Sequence, residues 1–308
     1  MAVDKRLIIR EERNFAEVVD GTFGLPSKLS EGAWKMKTQM EKGQAFRALH
    51  ARERAFVIPN PWDIGTARIL ERLGFEALAT TSAGYAFSLG KQDNTVDRVA
   101  MMEHLTAISA ASDLPVSADL GNGFGDDPKI AAETIRLAAA TGVVGASIED
   151  ATGRPGDPIY DYEFAAERVK AAAEAARALP FPFALTARAE NYLNGKPDLK
   201  DTIRRLQLYQ TAGADVLYAP GLVSREDIEA VVKAVDRPVN VLMGLPGSKL
   251  SMEDLSRMGV RRVSIGSGLA RAAYGAFLRA AREMREQGTF TFAEQAVSHR
   301  DMSNMIKT

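Results

Sequence analysis

Two short runs in this chain end on carboxylates: Val116-Ser117-Ala118-Asp119, followed by Leu120-Gly121-Asn122-Gly123-Phe124-Gly125, and Gly145-Ala146-Ser147-Ile148-Glu149-Asp150. Each is apolar and strand-like before the acids. In parallel α/β proteins ligands bind at the carboxyl ends of strands, so acids at two such ends point to one shared site. Oxygen-only donors of this kind suit Mg²⁺ or Mn²⁺. A further run ends on Arg188, with Glu190 just beyond it. Several carboxylates with one guanidinium form a constellation for a metal and a carboxylate substrate.

The elements that must hold these residues follow one repeating pattern from Ala55 onward. Apolar or β-branched runs cover Ala55 to Pro59, Ala77 to Ser82, Pro115 to Asp119, Val143 to Glu149, Pro182 to Arg188, Asp215 to Ala219, Pro238 to Leu242 and Arg261 to Ile265, eight in all. Between them lie amphipathic segments such as Pro128 to Ala140, Asp161 to Leu179, Leu199 to Ala212 and Ser224 to Val235, several opened by Asp, Ser or Pro. Gly74, Gly142, Gly213 and Gly259 sit where helices should end. Eight βα units predict a closed (β/α)₈ TIM barrel of the α/β class, with its active site on the C-terminal face. The barrel is expected over residues 39–290, after an N-terminal extension (1–38) and before a C-terminal tail (291–308).

Composition removes other classes. The 308 residues are 46% hydrophobic and 26% charged with net charge −1, which gives a sizeable core and no basic footprint for nucleic acid. The expected partner is a small-molecule carboxylic acid. Without cysteine there is no disulfide, thiolate metal site or cysteine acid. His50, His104 and His299 fall in helix-like or tail segments, so a His-based zinc site or a Ser-His-Asp triad is disfavoured. No stretch approaches the roughly 18 apolar residues of a membrane span, and Leu7-Ile8-Ile9 is too short for a signal-peptide core, so a cytoplasmic location is expected.

A series of motifs carries a family resemblance. Asn60-Pro61-Trp62-Asp63, Thr80-Thr81-Ser82-Ala83-Gly84-Tyr85, Ser88 to Asp93, Ser117-Ala118-Asp119 through Gly125, Ser147-Ile148-Glu149-Asp150 and Thr186-Ala187-Arg188 occur in order. The series, spanning about residues 40 to 285, resembles that of the isocitrate lyase and phosphoenolpyruvate mutase superfamily. The resemblance implies a barrel that exchanges its last helix with a neighbour in a dimer or tetramer, and Mg²⁺-assisted enolate chemistry on 2-oxo or 2-hydroxy acids. It implies that Asp119 and Glu149 hold the metal directly or through water, joined by Asp93. Ser82, Ala83 and Gly84 then match the turn that grips the substrate carboxylate, and Arg188 matches the arginine facing it. Asp93, Arg188 and Tyr85 are the catalytic candidates, with Asn240 added as substrate-binding.

Two departures bear on the reaction. The third strand reads Asp119-Leu120-Gly121 where the lyases of the family usually show Asp-x-Asp, so one usual metal-shell acid is missing. The loop Ala151-Thr152-Gly153-Arg154-Pro155-Gly156-Asp157-Pro158 lacks the cysteine and histidine of isocitrate and methylisocitrate lyases, which disfavours those two activities. Three functional classes stay open. The first is a Mg²⁺-dependent lyase that cleaves a C–C bond of a small 2-hydroxy or 2-oxo dicarboxylic acid by retro-aldol or decarboxylation, with Tyr85, Tyr160 or water as proton source. The second is a phosphonomutase, with Gly266-Ser267-Gly268 receiving phosphate. The third is a barrel that binds a 2-oxo acid without turnover. The lyase is favoured. Strand-end charges could also be a structural ion-pair network, Asp93 a solvated turn residue, and Tyr218 and Asn240 core or wall residues.

Overall fold

The computed structural model describes residues 36–307. The extension expected over residues 1–38 lies outside the described residues except for its last three. Ten strands form: β1 (Phe56–Val57), β2 (Leu78–Ala79), β3 (Val116–Asp119), β4 (Gly145–Glu149), β5 (Ala151–Arg154), β6 (Asp157–Ile159), β7 (Ala184–Arg188), β8 (Val216–Tyr218), β9 (Val239–Leu242) and β10 (Arg262–Ser264). Each of the eight predicted runs contains one of the eight strands of a parallel sheet ordered β1-β10-β9-β8-β7-β4-β3-β2.

The two ends of that order meet. The Ala79 N–H donates to the Pro59 carbonyl at 3.1 Å, and the Asn60 side chain donates to the Thr80 carbonyl at 3.1 Å while accepting from the Ile265 N–H at 3.0 Å. Asn60 thereby ties β1 to both neighbours, and the sheet curls into the (β/α)₈ barrel expected from the repeat.

Helices alternate with the strands, and most starts have a side-chain acceptor for their free N–H groups. α1 (Gln39–His50) precedes the barrel; α2 (Ile64–Arg72), α3 (Ser82–Ser88), α4 (Arg98–Ala111), α5 (Pro128–Ala140), α6 (Tyr162–Arg177), α7 (Leu199–Ala212), α8 (Arg225–Ala234) and α9 (Met252–Arg257) follow. Asp63, Thr81, Asp97, Asp127, Asp161, Asp198, Ser224 and Ser251 cap α2 to α9 in turn. The glycines expected at helix ends, Gly74, Gly142, Gly213 and Gly259, all have positive φ. The chain closes with α10 (Gly268–Glu286), a 3₁₀ turn (Thr291–Gln295) and α11 (His299–Ile306), which packs on α2 where Arg72 donates to the Lys307 carbonyl. Among the described residues no helix is long and apolar enough to cross a membrane.

The core has two parts. A large apolar layer lies between strands and helices, and a smaller cluster of Phe46, Leu49, Phe56, Ile58, Ala77 and Val144 seats α1 against the amino ends of the strands. Gly145 makes that seat possible, because a Cβ there would come within 2.8 Å of the Phe46 ring. The barrel interior departs from the usual stack of bulky aliphatics. Buried Ser117, Thr186, Asn240, Arg262 and Ser264 make it polar.

Candidate active site

The carboxyl ends of β3, β4 and β7 bring the predicted acids and arginine together. Register places Asp119 beside Ser147 and Glu149 beside Arg188. Arg188 Nη1 lies 2.9 Å from Asp119 Oδ1, Nη2 lies 3.0 Å from Glu149 Oε2, and Nε lies 2.8 Å from Glu190 Oε1. All three guanidinium nitrogens thus face carboxylates. Burial works against the Arg188 charge, but Glu149, Glu190 and Asp119 hold it protonated well above its ordinary range.

Four acids share that one cation. Ser82 joins two of them, its N–H donating to Asp119 Oδ2 at 3.0 Å and its hydroxyl to Asp93 Oδ1 at 3.3 Å. Partial burial and then the Asp119 charge raise the Asp93 pKa. Burial, opposed by Arg188 and reinforced by Glu190, Asp119 and Asp150, pushes Glu149 up to about 8. Glu190 is raised for the same first reason. This excess of hard oxygen charge fits a divalent cation such as Mg²⁺, with Asp119 and Glu149 as the facing pair. Among the described residues no three His, Cys, Asp or Glu side chains form a group that could hold a metal ion by themselves.

Two cavities open here. An upper one of about 580 Å³ is walled by Asp93, Glu149, Arg188 and Glu190 together with the loops after β3 and β4. A lower one of about 180 Å³ descends between the strands past Ser82, Ala83, Asp119, Tyr218 and Asn240. Asn94 and Phe124, both at positive φ, line the upper cavity, where such backbone is unfavourable for a side chain as large as phenylalanine.

Other candidates lie differently. Gly84 lines neither cavity and is buried in close contact with Thr81 and Trp62. Tyr85 is a correction: α3 starts directly at Ser82 and carries Tyr85 over α4, where its ring stacks on His104 at 3.8 Å and its hydroxyl donates to Ala100. It lines neither cavity. Tyr160 is also turned aside, donating to Asp126 at 2.5 Å. Asp63 is the N-cap of α2.

Glu190, which the sequence placed just beyond Arg188, was given no role of its own, and Tyr218 was read as a core or wall residue. Tyr218 ends β8, and its ring centroid lies 5.3 Å from the Arg188 guanidinium. Among the described residues lining the two cavities it is the single tyrosine, and no lysine or histidine lines either. Burial pushes its hydroxyl up to about 12, so it stays protonated.

A network behind the site fixes these ends. Asp150 accepts from the Glu190 N–H at 2.8 Å, from Arg205 at 2.9 Å and from Tyr209 at 2.5 Å. Arg168, on α6, donates to the carbonyls of Asn122, Gly125, Asp126 and Glu149, binding the glycine-rich loop after β3 to the end of β4. The segment after β4, expected as a loop, is the β5–β6 hairpin, with Arg154 2.8 Å from Asp126.

A family profile described as phosphoenolpyruvate phosphomutase matches residues 46–285. The chain belongs to that family. A solved structure described as a lyase or mutase from Burkholderia cenocepacia J2315 is 62% identical, superposes with a TM-score of 0.86 and is matched over 97% of its length and 88% of this chain. A 2-methylisocitrate lyase of Halalkalibacterium halodurans is 26% identical, over 82% of this chain and 85% of its own. An oxaloacetate decarboxylase of Pseudomonas entomophila is 29% identical, over 77% of this chain and 81% of its own. The family therefore includes both mutases and carbon–carbon-cleaving lyases.

Proposed function

We propose that the protein is a carbon–carbon lyase acting on a small 2-oxo or 2-hydroxy dicarboxylic acid through an enolate. The observation that carries this reading is Arg188, fixed by Asp119, Glu149 and Glu190 at the floor of an open cavity that no lysine, histidine or cysteine lines among the described residues. With no amine on the walls, a Schiff base is not available to take the electron pair. The pair must pass to the oxygen beside the breaking bond.

Arg188 and the backbone turn at Ser82 and Ala83 orient a substrate carboxylate, and the flanking acids keep the guanidinium still. Asp119 and Glu149 would hold Mg²⁺ or Mn²⁺, with Asp93 reached through Ser82 and water. When bound, that ion supplies Lewis-acid stabilisation of negative charge on oxygen. In decarboxylation the C–CO₂⁻ bond breaks, CO₂ leaves, and the enolate carbon takes one proton. Tyr218, protonated and on the cavity wall, is the side chain placed to deliver it, with water as its source of replacement.

The test is incubation of pure protein and Mg²⁺ with a panel of C4 to C6 2-oxo and 2-hydroxy acids, followed by NMR. Enzyme-dependent C–C cleavage is expected, lost in the Asp119→Asn variant and in excess chelator. Full activity in either condition would sink the metal-assisted reading. Gly266 and Ser267 on the lower cavity wall are where a phosphonomutase would seat its phosphate. ³¹P NMR with phosphoenolpyruvate separates the two, since a carbon–phosphorus signal appears with a mutase alone.

A further inference from the structure

Arg262 is a cation sealed inside the barrel, 5% exposed, at the base of the lower cavity. Three other guanidiniums inside this fold are met by strong acceptors. Arg188 faces three carboxylates, Arg205 faces Asp150 and Asp201, and Arg168 faces four carbonyls. Arg262 has neutral partners throughout. Its Nε donates to Asn240 Oδ1 at 3.0 Å, Nη2 to Thr186 Oγ1 at 2.9 Å, and Nη1 to His50 Nε2 at 3.4 Å.

No carboxylate faces it among the described residues, and burial lowers its pKa to about 10. His50 gives no compensation. Its Nδ1–H donates to the Phe46 carbonyl at 2.8 Å, so Nε2 is the accepting nitrogen and the ring is neutral. A guanidinium carries five N–H groups, and three have partners here. Leaving a buried charge uncompensated is among the costlier arrangements in a protein interior. Ser117, Ser147 and Ser264 line the same cavity, and its carboxylates, Asp93 and Asp119, belong to the acidic cluster around Ser82 and Arg188 rather than to the partners of Arg262.

We infer that the shaft is an anion site separate from the acidic mouth, in which Arg262 binds one small monovalent anion, a carboxylate or a halide. The site does not depend on which reaction occurs above it. The anion has two sources, a free ion or one carboxylate of a larger ligand reaching down from the mouth.

Bromide soaked into crystals of the full wild-type chain tests the inference without any variant. An anomalous bromine peak against the Arg262 Nη atoms is expected; bromide confined to surface positions, with water alone in the shaft, overturns it. In solution, formate should raise the unfolding midpoint saturably, and Arg262→Lys should weaken that response by about tenfold, because the planar fork is lost. Equal formate response in wild type and Arg262→Lys also overturns it. Competition then assigns the source. If formate weakens binding of a four-carbon dicarboxylate but not of oxalate, the anion is a ligand carboxylate; if it weakens neither, the anion is a free ion.

Discussion

Shortening Arg188 to lysine keeps its charge and removes its geometry, which separates recognition from charge balance. Three acids are arranged around three guanidinium nitrogens, and one ammonium cannot meet them all. Arg188→Lys is expected to lower kcat/KM by on the order of a hundredfold or more, and to abolish oxalate binding measured by calorimetry. Glu149 gives a pH signature. Its folded pKa, near 8, lies above the ordinary 4.5, so the folded state keeps a proton that the unfolded chain has released. By linkage, stability of the metal-free protein falls as pH rises from about 4.5 to about 8. Thermal melts should show that decline, Glu149→Gln should flatten it, and Mg²⁺ should restore the midpoint most at the alkaline end. The meeting of Asp119, Glu149 and Arg188 was legible in the sequence because a strand end fixes where a side chain points. Tyr85 misled because a helix begins three residues before it, and Tyr218 was hidden because an aromatic at a strand end reads equally well as core.

At the scale of elements, the hold of α6 on the loop after β3 is carried by one side chain. Arg168→Met would strip donors from four carbonyls, a loss of about 2–4 kcal/mol by urea unfolding. It should also raise KM, because Asn122 and Phe124 wall the cavity. Unchanged KM in a folded variant would mean that the loop is held by other means. The eight strands were readable because two-sided burial writes each as a short apolar run between helix-ending glycines. The β5–β6 hairpin was not, since Gly153, Pro155 and Gly156 read as loop chemistry, and one of its contacts, Arg154 with Asp126, lies in a distant segment.

The molecule as a whole leaves apolar surface uncovered on α10. Phe277 is 67% exposed and Leu278 49%, with Phe290 at 66% a little further on. An assembly of two or four copies would cover such side chains, and Phe277→Glu with Leu278→Glu should shift sedimentation toward the monomer without lowering the unfolding midpoint of the barrel. Sedimentation identical to wild type would mean that these side chains carry no contact between copies. The barrel was readable from the repeat and its length, but the covering of α1 under the strands was not. That covering depends on Gly145 accepting the Phe46 ring, a pairing between residues about a hundred apart that no local pattern announces.

The seat of α1 has a kinetic consequence. With Phe46 and Leu49 packed beneath the strands, the shaft is a blind vessel with one doorway, and whatever enters must leave by the same route. A space of about 180 Å³ leaves little room for two ligands to pass each other. An anion held against Arg262 would then leave only after whatever occupies the mouth above it has gone.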